Sequence, residues 1–324
     1  MDNWIIFLIV FLASLVITFI LYPIFINYLK TVNVSQAVSE YSLDEYKNKV
    51  KTPIMGGILF VVIPIVIFLA SDPSFYASPT PKLLFILISF ICYFLVGFID
   101  DLVIIITKKN DGIKPSLKLL LEFGSIIILY LIFRNSIQTT IYIPYFKINF
   151  DLKYLFLPFL AFTYVSEANA CNFTDGMDGL CAGVSIIGLI CFGIIAFFKG
   201  EMHILTFISC VLGSLFAYMF YNFHPAKIFM GDSGSLALGA LFAGLAFALD
   251  AFIPLLFIGF VFILEMICVC LQKISYKLFK KRIFSYTPIH YAFIIKGKSE
   301  VKVVIGFYIV ALITGVIGVI CGLI

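Results

Sequence analysis

Charge is scarce in this sequence. Only 12% of its 324 residues are Asp, Glu, Lys or Arg, where about 25% is usual for a soluble protein. Hydrophobic residues make up 62% of the chain, and the mean hydropathy is +1.12. This composition excludes a soluble fold and indicates a protein that crosses a membrane several times. We expect no nucleic-acid partner.

Paired cysteines and zinc-binding clusters are also lacking. Most of the eight cysteines fall within apolar runs. Cys268 and Cys270 form a C-x-C pair, but neither a second pair nor a nearby histidine completes a zinc set. The stretch FMGDSGS at 229–235 lacks the lysine of a P-loop. The sequence therefore predicts neither a disulfide scaffold, a zinc centre nor a Walker-type NTPase.

Long apolar runs are abundant instead. About 20 apolar residues in a helix span the bilayer core, which predicts an all-α polytopic membrane protein with about ten transmembrane helices. We interpret residues 1–324 as a single transmembrane domain, with a small extracytoplasmic hairpin at 136–152. The ten predicted spans are 4–27, 54–71, 82–99, 117–134, 154–169, 180–198, 203–221, 233–249, 252–272 and 302–323.

The few cations are distributed unevenly between the loops. With the N-terminus outside, most of the 22 Lys and Arg residues fall on one membrane side. Because cytoplasmic loops are enriched in Lys and Arg, this side is predicted to be cytoplasmic, and both termini to be outside. The exceptions, on the opposite side, are Lys82, Arg134, Lys147, Lys153 and Lys199.

A polar stripe interrupts the apolar sequence at 169–180, NACNFTDGMDGL. Asn169, Asn172, Asp175 and Asp178 follow one another at intervals of three, which places them near one another on a helical turn. Carboxylate and amide oxygens are the ligands that Mg²⁺ prefers, and Mg²⁺ also binds substrate phosphates. A solvated loop rich in turn-forming residues is the alternative interpretation.

Two further acidic clusters are predicted on the same cytoplasmic face. Asp100 and Asp101 end the third span, where carboxylates oppose the helix dipole. Because neighbours on a helix point about 100° apart, we expect one to face the reaction and the other to orient a partner. Asp232 opens the eighth span, where free N–H groups bind phosphate; a plain helix cap is the alternative.

Ionisable residues also lie within the predicted spans, where they are functional candidates. Lys118 and Glu122 form a helical pair, and for Glu122 a structural pairing is the alternative. Glu265 is a further candidate, on the ninth span. A transporter would place its charges near the bilayer midplane rather than at one face, which makes a transporter the remote alternative.

Several motifs resemble those of the phospho-N-acetylmuramoyl-pentapeptide transferases, members of the polyprenyl-phosphate N-acetylhexosamine-1-phosphate transferase superfamily. The resemblance implies transfer of phospho-MurNAc-pentapeptide from its UDP carrier to undecaprenyl phosphate in the bacterial cytoplasmic membrane. UMP and the first lipid-linked peptidoglycan precursor would be released. The matching stretches, which run in order along the chain, are SQAVSE (35–40), KTPIMGG (51–57), FIDD (98–101), NACNFTDGMDGL (169–180), FMGDSGSLALG (229–239), KRIFSYTPIH (281–290) and KGKSE (296–300).

The resemblance also implies roles for individual residues. Mg²⁺ would be held by Asp232, with Asn172 as an amide ligand. Asp100 would orient or deprotonate the lipid phosphate, and a covalent aspartyl-phosphate is the alternative. We expect Glu265 to line a groove through which the lipid substrate reaches the site. The implied catalytic residues are Asp100, Asp101 and Asp232. The implied substrate-binding residues are Lys51, Lys118, Asp175, Asp178, Asn222, Phe229, Gln272 and His290.

One motif departs from the family pattern. Relatives carry three consecutive histidines after the Pro-aliphatic pair, whereas this chain reads PIHYAFI at 288–294. We expect His290 to contact the donor and Tyr291 to be only a surface contact. The departure keeps open a UDP-GlcNAc (or other UDP-HexNAc) donor as the alternative. Membrane lipid is an expected partner, and the oligomeric state stays open between monomer and homodimer.

Overall fold

The computed structural model describes residues 3–32, 52–71, 75, 79–108 and 112–324. Within these residues the chain is almost entirely helical. The first six helices are α1 (Asn3–Thr31), α2 (Gly57–Ser71), α3 (Pro81–Thr107), α4 (Pro115–Phe133), α5 (Phe156–Thr174) and α6 (Leu180–Phe198). The next six are α7 (Met202–Asn222), α8 (Gly231–Ala248), α9 (Phe252–Ile258), α10 (Phe260–Phe279), α11 (Ile289–Ile295) and α12 (Glu300–Leu323).

Each predicted span falls on a helix, and the span at 252–272 falls on two. In the described part of the chain, seven helices are long and apolar enough to cross a membrane. The pair α9 and α10, bent by 79°, would make an eighth, and α2 is a shorter apolar helix of 15 residues. The prediction of an all-α polytopic membrane protein is confirmed.

Helix α8 lies at the centre of the bundle, packed between α3 and α5. Its sequence, GDSGSLALGALFAGLAFA, is dominated by small residues, which let helix backbones approach closely in membranes. A Cβ at Gly239 would lie 2.3 Å from the Glu167 carbonyl oxygen of α5. A Cβ at Gly97 of α3 would lie 2.1 Å from the Asp232 carbonyl oxygen. The close fit fixes the start of α8 against α3.

The predicted hairpin is present between α4 and α5. Strand β1 (Thr140–Ile143) pairs antiparallel with β2 (Ile148–Asp151), with Thr140 opposite Asp151 and Ile143 opposite Ile148. A short 3₁₀ turn, Pro144–Phe146, connects the strands. Pro144 suits this position because its fixed φ favours a turn and it supplies no N–H to the ladder.

Candidate active site

Asp232 is held at the start of α8 by groups from two other helices. Its Oδ1 accepts a 2.7 Å hydrogen bond from Nδ2 of Asn172 on α5. Its Oδ2 contacts the ammonium group of Lys118 on α4. Asn172 also donates to the Ser235 hydroxyl, 3.0 Å away, on the first turn of α8. A carboxylate, an amide and a cation from three helices therefore meet at one point.

The two adjacent aspartates at the end of α3 have different partners. Asp101 is buried, and its carboxylate oxygens accept hydrogen bonds of 3.0 Å from the backbone N–H groups of Asp232 and Ser233. An acidic group at a helix N-terminus satisfies free N–H groups and complements the helix dipole. Asp101 therefore fixes the backbone that carries Asp232.

Asp100 approaches the side chain of Asp232, whereas Asp101 binds its backbone. The Asp100 carboxyl is next to the Asp232 carboxyl and the Lys118 ammonium group, and its Oδ1 accepts a 3.1 Å hydrogen bond from the Ile113 N–H. Two carboxylates thus share one lysine. We call Asp100, Asp101, Lys118, Asn172 and Asp232 the α8 cluster.

Glu122 lies on α4, one helical turn after Lys118, and is also hydrogen-bonded to polar groups. Its Oε2 accepts a 2.6 Å hydrogen bond from Nδ2 of Asn169, the first member of the polar stripe. Its backbone carbonyl accepts a hydrogen bond from the Tyr93 hydroxyl, 3.1 Å away. Its buried Oε1 has no hydrogen-bond partner among the described residues. Glu122 and the stripe therefore belong to one buried network.

The second half of the stripe forms the turn between α5 and α6. The pKa of the Asp175 carboxyl is raised well above its usual value, because the surrounding protein desolvates it and because Asp232, Asp101 and Asp178 repel its charge. Asn172, which belongs to both the stripe and the α8 cluster, joins the two through its hydrogen bond to Asp232.

Asp178 faces a different set of partners. Its Oδ2 lies 3.0 Å from Nδ1 of His224 and accepts a 3.1 Å hydrogen bond from the Ala226 N–H. Its backbone N–H donates to Oε1 of Glu300, 2.8 Å away at the start of α12. We call Asp178, His224 and Glu300 the turn cluster. One ligand atom from each lies within 4.8 Å of the others, a spacing that could hold a metal ion.

Three predicted donor-binding residues make structural contacts. Buried Asn222 accepts the Gly179 N–H and donates to the Ile228 carbonyl, both at 2.9 Å. Phe229 pairs through its backbone with residues 53–56. Gln272 accepts the N–H groups of residues 283 and 284, each at 3.0 Å. Asn222 thus holds the turn that follows Asp178, whereas Gln272 holds the loop that precedes α11. Lys51 lies outside the described residues.

His290 and Tyr291, on α11, reach the same turn. Nδ1 of His290 lies 3.1 Å from Oε1 of Glu265 on α10, and both side chains are wholly buried. The Tyr291 hydroxyl donates a 2.8 Å hydrogen bond to the Gly176 carbonyl, and burial raises the pKa of that hydroxyl. The prediction that Tyr291 is only a surface contact is therefore wrong. The prediction that Glu265 lines a lipid groove is also wrong, because Glu265 is sealed in the bundle.

Comparisons with known proteins agree with this architecture. The model of glycosyl transferase family 4 matches residues 83–250. Several curated relatives from Staphylococcus aureus are named phospho-N-acetylmuramoyl-pentapeptide-transferase. Those of strains MSSA476 and JH9 are each 40% identical over 316 residues, covering 95% of this chain and 96% of theirs. That of strain bovine RF122 / ET3-1 is 41% identical over 313 residues, with the same coverage.

The chain belongs to the phospho-N-acetylmuramoyl-pentapeptide transferase family. It is accordingly an enzyme that transfers a phosphosugar, and a multi-pass membrane protein. The apolar helices and the acidic clusters thus belong to one membrane-embedded transferase.

As in any member of the phospho-N-acetylmuramoyl-pentapeptide transferase family, a metal cofactor is implied, and the residues present fit one. The α8 cluster offers carboxylate oxygens from Asp100 and Asp232, which suit a hard cation such as Mg²⁺. Asn172 turns its NH₂ group toward Asp232, so its amide would have to rotate to offer its oxygen to the same ion. The turn cluster instead combines two carboxylates with an imidazole, a set that also suits transition metals.

Sequence reasoning missed several contacts in this transferase. His224 had no assigned role, but its ring pairs with Asp178. Glu300 had no assigned role, although its place at the start of an apolar run signals a helix N-terminus. Ser235 was also missed. The spacing FMGDSGS places it one turn after Gly231, where its hydroxyl donates back to that carbonyl.

Proposed function

We propose that this transferase moves phospho-MurNAc-pentapeptide from UDP-MurNAc-pentapeptide to undecaprenyl phosphate. An oxygen of the lipid phosphate bonds to the phosphorus that carries the sugar, and the bond from that phosphorus to the bridging oxygen of UMP breaks. UMP leaves, and the lipid-linked MurNAc-pentapeptide diphosphate remains. The observation that carries this proposal is the meeting of Asp100, Lys118, Asn172 and Asp232 at the start of α8.

We propose Mg²⁺ as the cofactor, held by Asp232 and Asn172. When bound, it neutralises charge on the diphosphate of the donor. The resident cation Lys118 supplies a second positive charge against the same carboxylate. Asp101 is proposed to act through position, since both of its oxygens accept backbone N–H groups at the start of α8, the segment that carries Asp232. Its role is to position Asp232.

Asp100 is the residue proposed to orient the lipid phosphate. A phosphate monoester is already mostly dianionic near pH 7, since its second pKa is about 6. A strong general base is therefore not required, and holding the nucleophile in line is the main task. Attack by Asp100 itself, giving an aspartyl-phosphate, is the alternative route.

The donor is proposed to bind along the polar stripe and the loops that close over it. Asp175 and Asp178 supply polar contacts, while Asn222, Phe229 and Gln272 shape the pocket through the loops they hold. His290 and Lys51 complete the proposed contacts, and Lys118 reaches the diphosphate.

The proposed setting is the bacterial cytoplasmic membrane. The active site would face the cytoplasm, both termini would lie outside, and residues 1–324 would act as one transmembrane domain. A homodimer is the proposed assembly to test. The cation-rich loops on the active-site side support this orientation, and would attract an anionic nucleotide donor.

Radiolabel transfer into a butanol-extractable lipid tests the function. Purified protein with Mg²⁺ and undecaprenyl phosphate should transfer label from UDP-MurNAc-pentapeptide, with release of UMP. Label transferred only from UDP-GlcNAc would show the alternative donor, which the altered histidine motif keeps open. Asp232→Asn serves as the inactive control. Folded protein that transfers neither label would overturn the proposal.

A further inference from the structure

A carboxylate and an imidazole are sealed together between α10 and α11. Glu265 and His290 are both 0% exposed. Oε1 of Glu265 lies 3.1 Å from Nδ1 of His290, and Oε2 accepts a 2.7 Å hydrogen bond from the Ile289 N–H. Both carboxylate oxygens are thus in use, and they hold the first turn of α11 as well as the ring.

This contact decides which ring nitrogen carries hydrogen. An ionised carboxylate only accepts hydrogen bonds, so Nδ1 of His290 must donate. The other nitrogen, Nε2, then faces away from Glu265. Nε2 is buried and has no hydrogen-bond partner among the described residues. Buried polar atoms are nearly always paired, so an unpaired one here points to a partner that arrives with a ligand.

The backbone of the polar stripe packs against Nε2. A Cβ built on Gly176 would lie only 2.4 Å from Nε2 and 2.9 Å from the Tyr291 hydroxyl oxygen. Gly176 directly follows Asp175, and only a residue without a Cβ fits against the ring here. The hydrogen bond from Tyr291 to the Gly176 carbonyl holds the turn in place. Nε2 is therefore directed at the turn that joins Asp175 to Asp178.

We infer that Glu265 is a positioning residue for the transfer reaction. It fixes the proton of His290 on Nδ1 and so presents Nε2 to a polar group of the bound donor at the Asp175–Gly176 turn. The inference rests on the proposed binding of the donor along the polar stripe. Glu265 itself stays out of contact with substrate and acts only through the imidazole, as carboxylates that orient histidines do elsewhere.

Glu265→Gln tests this assignment directly. The amide side chain of this variant offers one acceptor and one donor group. If the amide oxygen still accepts the hydrogen bond from the Ile289 N–H, the NH₂ group faces Nδ1 of His290. Nδ1 must then become the acceptor. The variant should therefore move the proton of His290 from Nδ1 to Nε2, while the size of the side chain stays almost unchanged.

Nitrogen NMR of protein with labelled histidines shows which ring nitrogen of His290 carries the proton. The chain has only three histidines, and His290→Gln identifies the signal by its loss. Wild type should show a protonated Nδ1, and Glu265→Gln should show a neutral ring with the proton on Nε2. Glu167→Gln, at another buried carboxyl in the bundle, is the matched control and should leave the signal unchanged. A His290 tautomer that does not change in Glu265→Gln would overturn the inference.

Kinetics give the second measurement. Glu265→Gln should lower kcat/KM about tenfold, the effect of one misdirected hydrogen bond. Adding His290→Gln should cause no further loss, because both changes remove the same contact. Additive losses would overturn the coupling. Wild-type protein that transfers no label would overturn the proposed function instead, and the tautomer measurement, made without substrate, would still decide the role of Glu265.

Discussion

The α8 cluster and the turn cluster are built in contrasting ways. All five members of the α8 cluster lie on the long helices α3, α4, α5 and α8. In the turn cluster, Asp178 lies on a turn, His224 on a loop and Glu300 at the first residue of α12. Side-chain exposure does not separate the clusters, because Asp178 is 1%, Glu300 13% and His224 42% exposed, against 22% for Asp232.

This difference in construction indicates a division of labour. Groups fixed on packed helices can stabilise developing charge without reorganising during the reaction. Groups on loops can adjust to a bound ligand, which suits recognition of a large nucleotide-linked donor. We therefore expect changes in the α8 cluster to affect turnover most, and changes in the turn cluster to affect donor binding.

Asp232→Asn should have the largest effect. Asn cannot supply the charge that pairs with Lys118 and is proposed to hold Mg²⁺, so turnover should fall about a thousandfold. The half-saturating Mg²⁺ concentration should rise. Radiolabel transfer measured over a Mg²⁺ series checks both effects.

The matched control for that change is Asp250→Asn. Asp250 also pairs with a lysine, Lys82, at 3.2 Å, but at the opposite end of α8. It should leave turnover and Mg²⁺ dependence unchanged. If folded Asp232→Asn protein kept the wild-type Mg²⁺ dependence, the assignment of the metal to the α8 cluster would fail.

Asp101→Ala should act through position rather than chemistry. Loss of both hydrogen bonds to the start of α8 should lower stability by about 1–2 kcal/mol. The displaced Asp232 should reduce turnover about a hundredfold, since a shift of about 1 Å is enough. Thermal unfolding in detergent and the transfer assay check the two effects, and an unchanged melting temperature would contradict the capping role.

The sequence predicted the helices well because their signal is local. Each apolar run of the right length forms a helix wherever it packs, and FMGDSGS marks the start of α8 through its glycines and acidic residue. The partners of Asp101, by contrast, depend on how closely α3 and α8 approach. That approach is set by the fit of Gly97 against the Asp232 backbone, which no periodicity reveals.

The same limit explains the errors at α11. Glu265 was expected to face lipid because an acidic residue in a span suggests a pathway, and the segment that covers it is 24 residues away. Tyr291 was expected to be a surface contact. The loss of a histidine from the family motif does not reveal that the replacing side chain reaches the Gly176 carbonyl. The roles of individual site residues stay predictions.

Gly176→Ala extends the comparison to the turn itself. The new methyl group would lie 2.4 Å from Nε2 of His290, so it should displace the ring from the turn and lower kcat/KM about tenfold. Gly188→Ala is the matched control. It is also a buried glycine, and its Cβ would lie 2.4 Å from Cε1 of Phe242. Equal losses in the two variants would show a general packing defect instead.

Glu300→Gln should have the smallest effect. It tests whether the α8 cluster serves turnover and the turn cluster serves donor binding. Gln keeps an oxygen for the Asp178 N–H, so the 2.8 Å hydrogen bond survives, while the charge beside His224 is lost. Because this contact is partly exposed to solvent, its contribution is modest. We expect the KM for UDP-MurNAc-pentapeptide to change about threefold, with kcat and the half-saturating Mg²⁺ concentration unchanged. If Glu300→Gln instead raised the Mg²⁺ requirement as Asp232→Asn does, the turn cluster would be the metal site. The two regions would then exchange the roles that their construction suggests.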